Sequence, residues 1–129
     1  KYKSVRADLS NAEGARKREL GAAPDYTIGS VHAVTSQGQV IVASNTGSQL
    51  PAYAYGAEKV IWVVGGQKVA GDLDDGMKRV YDYVLPLESV RAHEAYGVDG
   101  SNVSKLLVVN KEVTPDRITV ILIQEKLGF

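Results

Sequence analysis

Three short runs carry residue types that can do ligand chemistry. The first is Ser44-Asn45-Thr46-Gly47-Ser48-Gln49, which sets hydroxyls and amides around one glycine directly after the apolar run Val40-Ile41-Val42-Ala43. A helix start just beyond such a loop turns free backbone N–H groups toward a carboxylate or phosphate. A plain capped turn uses the same residues, so the local sequence leaves both readings open. No Gly-Lys-Ser/Thr follows, so the run is not a Walker loop. The second is Gly65-Gly66-Gln67-Lys68. Gly66 lets a backbone approach a ligand closely and Lys68 brings a positive charge; the alternative is a strand-to-helix turn with a solvated lysine. The third is Gly29-Ser30-Val31-His32. Strand alternation puts Ser30 and His32 on one face, where His32 serves either as a general base near neutral pH or as a hydrogen-bonded structural residue.

The candidate site is therefore His32 and Lys68 in catalytic roles, with Ser30, Ser44, Asn45, Thr46, Gly47, Ser48, Gln49 and Gly66 holding a ligand. Other chemistries fit poorly. There is no GxSxG run and there are only two histidines, which argues against a serine triad. Asp72, Asp74 and Asp75 lack the glycine and distal glutamate of a calcium loop and read as helix-start residues. No metal site is expected. The chain has no cysteine, which excludes disulfides, thiol catalysis and an iron–sulfur cluster on its own thiolates. Formal net charge is zero, so no electrostatic footprint suggests nucleic acid or an anionic membrane. No apolar stretch reaches the roughly 18 residues of a membrane span. A cytoplasmic location is expected.

The elements that must position these residues follow from periodicity. A polar helix is expected over residues 10–20, with Ser10 or Asn11 as cap and Gly21 after its end. Strands are expected over Tyr26 to Thr35 and Gln39 to Ser44, joined as a hairpin through Ser36-Gln37-Gly38. The run from Val40 to Ala43 should be covered on both faces. A short helix follows over Leu50 to Gly56, with Ser48 as its cap, and Tyr53 and Tyr55 on it are read as packing residues. Lys59 to Gly65 is the strongest buried strand, with Trp62 in the core. Asp72 to Val84 and Pro86 to Tyr96 are expected as two helices, with His93 at the surface. Lys105 to Asn110 and Arg117 to Gln124 are expected as an antiparallel hairpin. With 129 residues, the chain suits one domain. Alternating strands and helices predict an α/β, layered helix–sheet–helix domain with a mixed, mostly parallel sheet, in which ligands sit at strand carboxyl ends.

The runs Gly29 to Lys68, Tyr83 to Gly97, Ser101 to Asn110 and Arg117 to Phe129 resemble the LUD domain family, lactate-utilisation proteins of the LutC/YkgG type. The wording SNTGSQLPAYAYGA and ITVILIQEKLGF carries the likeness most specifically, and it is nearest to the stand-alone group. The resemblance implies a fold similar to the sugar-phosphate isomerase and coenzyme-A transferase superfamily. It also implies a part in oxidising lactate to pyruvate beside iron–sulfur partner proteins, with no cofactor on this chain. It raises the Ser44–Gln49 loop as a site for a small carboxylate or phosphate, and carries over no catalytic residue. The family's domain has a further segment before the position of Lys1, so an exposed sheet edge and a homo-oligomer are expected. Two other roles stay open: an enzyme on a small carboxylate or sugar phosphate with His32 as general base, and a metabolite-sensing regulator.

Overall fold

The computed structural model describes residues 2–11 and 13–129, with residues 9–11 described by backbone alone. Two helices open the chain, α1 (Val5–Asn11) and α2 (Gly14–Ala22), in place of the single helix expected over 10–20. Gly14 has φ +40°, a value that helical backbone does not take, so the chain restarts there. Gly21 lies inside α2 and not beyond it, and Glu13 holds the cap position without a side-chain bond. The caps expected at Ser10 or Asn11 fall on side chains outside the described residues.

The strands are β1 (Tyr26–Gly29), β2 (Ala33–Thr35), β3 (Val40–Ser44), β4 (Lys59–Gly65), β5 (Val69–Ala70), β6 (Lys105–Val109) and β7 (Ile118–Ile123). They divide between two sheets, β1-β4-β7 and β5-β2-β3-β6. Pairs β1–β4, β4–β7 and β2–β5 are parallel, while β2–β3 and β3–β6 are antiparallel. The fold is thus α/β with mixed, mostly parallel pairing. The β2–β3 hairpin forms as expected, with Gly38 at φ +85° in its turn.

Two strand expectations are corrected. The strand expected over Tyr26 to Thr35 is two strands in different sheets. Its alternation runs on unbroken, but side chains capture the carbonyls in the middle: Lys68 Nζ donates to Val31 O (3.1 Å) and Arg79 Nε to His32 O (2.9 Å). Those bonds hold the crossover at residues 30–32. Likewise β6 and β7 are not a hairpin. β6 pairs with β3 in one sheet and β7 with β4 in the other. The link between them is anchored by Arg117, buried at 6% exposure. Its guanidinium donates to the carbonyls of Ala52, Tyr53 and Ala57 and to Glu112 Oε2.

The helices also differ in detail. Residues 73–96 form one continuous helical run: α3 (Leu73–Lys78), a π-helical segment Arg79–Val84, and α4 (Leu85–Tyr96). Pro86 does not start a separate helix. A proline ring collides with the carbonyl four residues back, and the wider π-turns just before it make room. Asp72 caps the run by accepting Asp75 N–H at 2.9 Å, which assigns the aspartates their helix-start role. Residues 52–56 are a second π-helical segment, without a side-chain cap from Ser48.

Two apolar clusters set the layers. Val40 and Val42 pack with Val60, Trp62 and Val64 between the sheets. Ile41 and Ala43, on the other face of β3, pack with Val80 and Met77 under the helical run. β3 is therefore covered on both faces, as its unbroken apolar run requires. Trp62 meets Tyr53 edge-on at 5.4 Å, and its indole N–H closes no well-formed hydrogen bond. Tyr53 is buried, whereas Tyr55 is 90% exposed and does not pack as expected.

Candidate functional site

β3 ends at Ser44, and the polar loop turns away from the sheet at its carboxyl end. Ser44 is buried, and its Oγ accepts Gly47 N–H at 2.8 Å. That backbone donor fixes the direction of the next bond, so the Ser44 hydroxyl proton goes to Gln49 Oε1 at 3.0 Å. Ser48 Oγ also donates to Gln49 Oε1 (3.5 Å), and Ser104 Oγ donates to Asn45 Oδ1 (3.2 Å). The Gln49 amide oxygen is used inside the loop and that of Asn45 by Ser104 beside β6, and the amide NH₂ groups of Asn45 and Gln49 remain as donors. Gly47 sits at φ +84°, so the turn favours glycine; a Cβ there would also displace the exposed Lys105 side chain, whose Cδ lies 2.6 Å away.

His32 stands beside the same strand end. Ala33 pairs with Ile41, and two residues along β3 the Ala43 N–H donates to His32 Nδ1 at 3.0 Å. The imidazole takes the place a further β2 residue would have had. An Nδ1 that accepts a backbone N–H carries no proton, so the neutral ring holds its proton on Nε2. Burial first, then the charge of Lys68, lowers the His32 pKa to about 4; Glu88 opposes this and Arg79 adds to it. At neutral pH the residue is a fixed, uncharged N–H donor.

These groups share a cavity of about 460 Å³. His32, Ser44, Asn45, Thr46, Ser48 and Gln49 line one side, and Glu88 and Arg91 of α4 stand among the residues that complete it. Arg91 grips Glu88 with two bonds, 2.8 and 2.5 Å. The hydrogen bonds from Arg91 hold the Glu88 carboxyl below its usual range. Glu88 and Arg91 were missed by sequence reasoning. Three residues apart on a polar helix, they are indistinguishable from a solvated ion pair.

The other expected residues separate from this cavity. Lys68 is 6% exposed, so it is not the solvated lysine of a turn. Its Nζ donates to Ser30 Oγ and Val31 O, both at 3.1 Å. Burial, then the neighbouring Arg79 charge, pulls its pKa down. Ser30 and Lys68 thus sit behind His32 as its support and lie outside the cavity lining. Gly47 faces a neighbouring cavity. Gly66 lies against the Ile123 carbonyl, in a 3-10 turn (Gly66–Lys68). A larger cavity of about 850 Å³ lies beside Tyr53 and Arg117, but the Arg117 guanidinium is already spent on three carbonyls and Glu112. Among the described residues no cluster of three or more metal-ligating side chains occurs, and no helix is long and apolar enough to cross a membrane. His93 is exposed and joins the Val98 carbonyl through Nδ1.

Comparison with known proteins gives one match. The LUD domain model matches residues 1–123. No curated protein and no solved structure matches the chain. The chain belongs to the LUD domain family, which is associated with lactate utilisation.

Proposed function

We propose that this LUD-domain chain is a subunit of lactate utilisation that holds a small anion, a carboxylate or phosphate, in the cavity at the end of β3. One observation carries the reading: the acceptors of His32, Asn45 and Gln49 are each occupied within the protein, which leaves their N–H groups for a ligand. A wall that turns its N–H groups inward suits a ligand whose oxygens accept. The chain works in the cytoplasm with iron–sulfur proteins that oxidise lactate to pyruvate. That oxidation breaks the C–H bond of the hydroxyl-bearing carbon and the O–H bond of its hydroxyl, and releases two electrons and two protons. The electrons pass to the partners' clusters, because a chain without cysteine offers no thiolates for a cluster of its own.

The enzyme reading with His32 as general base has less support. With Nδ1 bonded to Ala43 N–H and the proton on Nε2, the ring has no free lone pair for a substrate proton. Lys68 acts as a positioning residue for the crossover. A metabolite-sensing role uses the same cavity and differs only in what ligand binding controls. A second copy of the chain is the further proposed partner, through the open edge of β7.

The test is thermal unfolding with lactate, pyruvate, inorganic phosphate and sugar phosphates. A ligand at about 100 times its Kd adds roughly 2.7 kcal/mol. The reading expects such a shift for a carboxylate or phosphate, and its loss in Ser44→Ala. No shift with any of them would overturn it.

A further inference from the structure

The cavity has one wall of donors and one strong acceptor. His32, Asn45 and Gln49 present N–H groups, whereas Glu88 from α4 presents carboxylate oxygens. Arg91 occupies one position on each Glu88 oxygen, and each oxygen keeps a lone pair for another donor. We propose that Glu88 is the specificity-determining residue of this cavity, accepting a hydrogen bond from a hydroxyl beside the ligand's carboxylate, so that a 2-hydroxy acid is taken and a 2-oxo acid refused. This rests on the anion-holding reading of the site and narrows it.

The chemistry follows from what each class of acid offers. A 2-oxo acid has only acceptors, so its keto oxygen would face the Glu88 carboxylate across an unmade hydrogen bond. A 2-hydroxy acid has a carboxylate for the donor wall and an O–H for Glu88. An ammonium in place of the hydroxyl gains less, because Arg91 already neutralises Glu88. Sites that bond a ligand hydroxyl reject the analogue lacking it far more strongly than apolar pockets reject a methylene. The cavity, at about 460 Å³, exceeds the volume of lactate, so lactate serves as a probe of the class.

The experiment is calorimetric titration of lactate, pyruvate and inorganic phosphate into the whole chain and into Glu88→Gln and Glu88→Ala. Glu88 lies at the protein–water boundary, with a side chain 33% exposed; unfolding midpoints verify that both variants fold. The wild type should bind lactate at least about tenfold more tightly than pyruvate. Glu88→Gln should gain pyruvate binding, since its amide can donate to the keto oxygen. Glu88→Ala should lose the preference without that gain. Equal wild-type affinity for lactate and pyruvate, or a preference that survives both substitutions, overturns the role of Glu88 and leaves the anion site standing. If none of the three binds, the anion reading falls and this inference falls with it.

Discussion

At the residue scale, the cavity depends on two backbone donors that orient side chains: Ala43 N–H on His32, and Gly47 N–H on Ser44. Ser44→Ala removes the hydroxyl that holds the Gln49 amide, and leaves Gly47 N–H without its partner. It should weaken anion binding about tenfold or more while costing about 1 kcal/mol of stability, which titration and urea unfolding measure separately. His32 gives a pH prediction. Its folded pKa is about 4, below the ordinary 6.5 of a histidine, so the unfolded chain takes the proton first as pH falls. The contribution is complete above pH 6.5 and is lost as pH drops through about 4, amounting to about 3 kcal/mol. Urea midpoints at steps from pH 7 to 4 should fall less steeply in His32→Gln than in the wild type; equal slopes would rule this out. The end of β3 and the polar loop after it were legible, because an abrupt change from apolar to small polar residues marks a strand end. The burial of Lys68 was not legible, since it depends on the Val31 carbonyl 37 residues away.

At the element scale, what the sequence signals least is where side chains replace backbone partners. β4 and the β2–β3 hairpin were legible from β-branched runs and a glycine turn. The break between β1 and β2, and the separation of β6 from β7, were not. Both are made by cations on distant carbonyls, and alternation carries no trace of that. Arg117 is the stronger case. It joins the start of β7 to the carbonyls of Ala52 and Tyr53 in the π-helical segment and of Ala57 just after it. Arg117→Lys keeps the charge and loses the fork. It should destabilise the protein by on the order of 3 kcal/mol, the scale for breaking a buried, bonded charge. The urea midpoint reads this, and a midpoint within 0.5 kcal/mol of wild type would show the anchor to be unimportant.

At the scale of the whole molecule, an α/β layering was legible from alternating elements, while the division into two sheets was not. That division leaves β7 at an edge of the three-stranded sheet, paired on one side with β4. Its residues Val120, Ile121 and Leu122 are 42%, 46% and 54% exposed. A bare apolar edge is a template for another strand. A second β7 meets its geometry across a two-fold axis, where paired residues must lie on the same face, so the axis passes through a residue. With the axis at Ile121, Thr119 stands opposite Ile123 and Val120 opposite Leu122, and no charge opposes a like charge. Ile121→Lys would put two ammonium groups face to face at that axis and remove apolar area from both copies. It should weaken self-association by about 2 kcal/mol, roughly thirty-fold. Light scattering over a concentration series gives the mass of each protein, and lactate titration verifies that the cavity is intact. A wild type that stays monomeric at every concentration, or a variant that associates as tightly as the wild type, would show that β7 is not where copies meet.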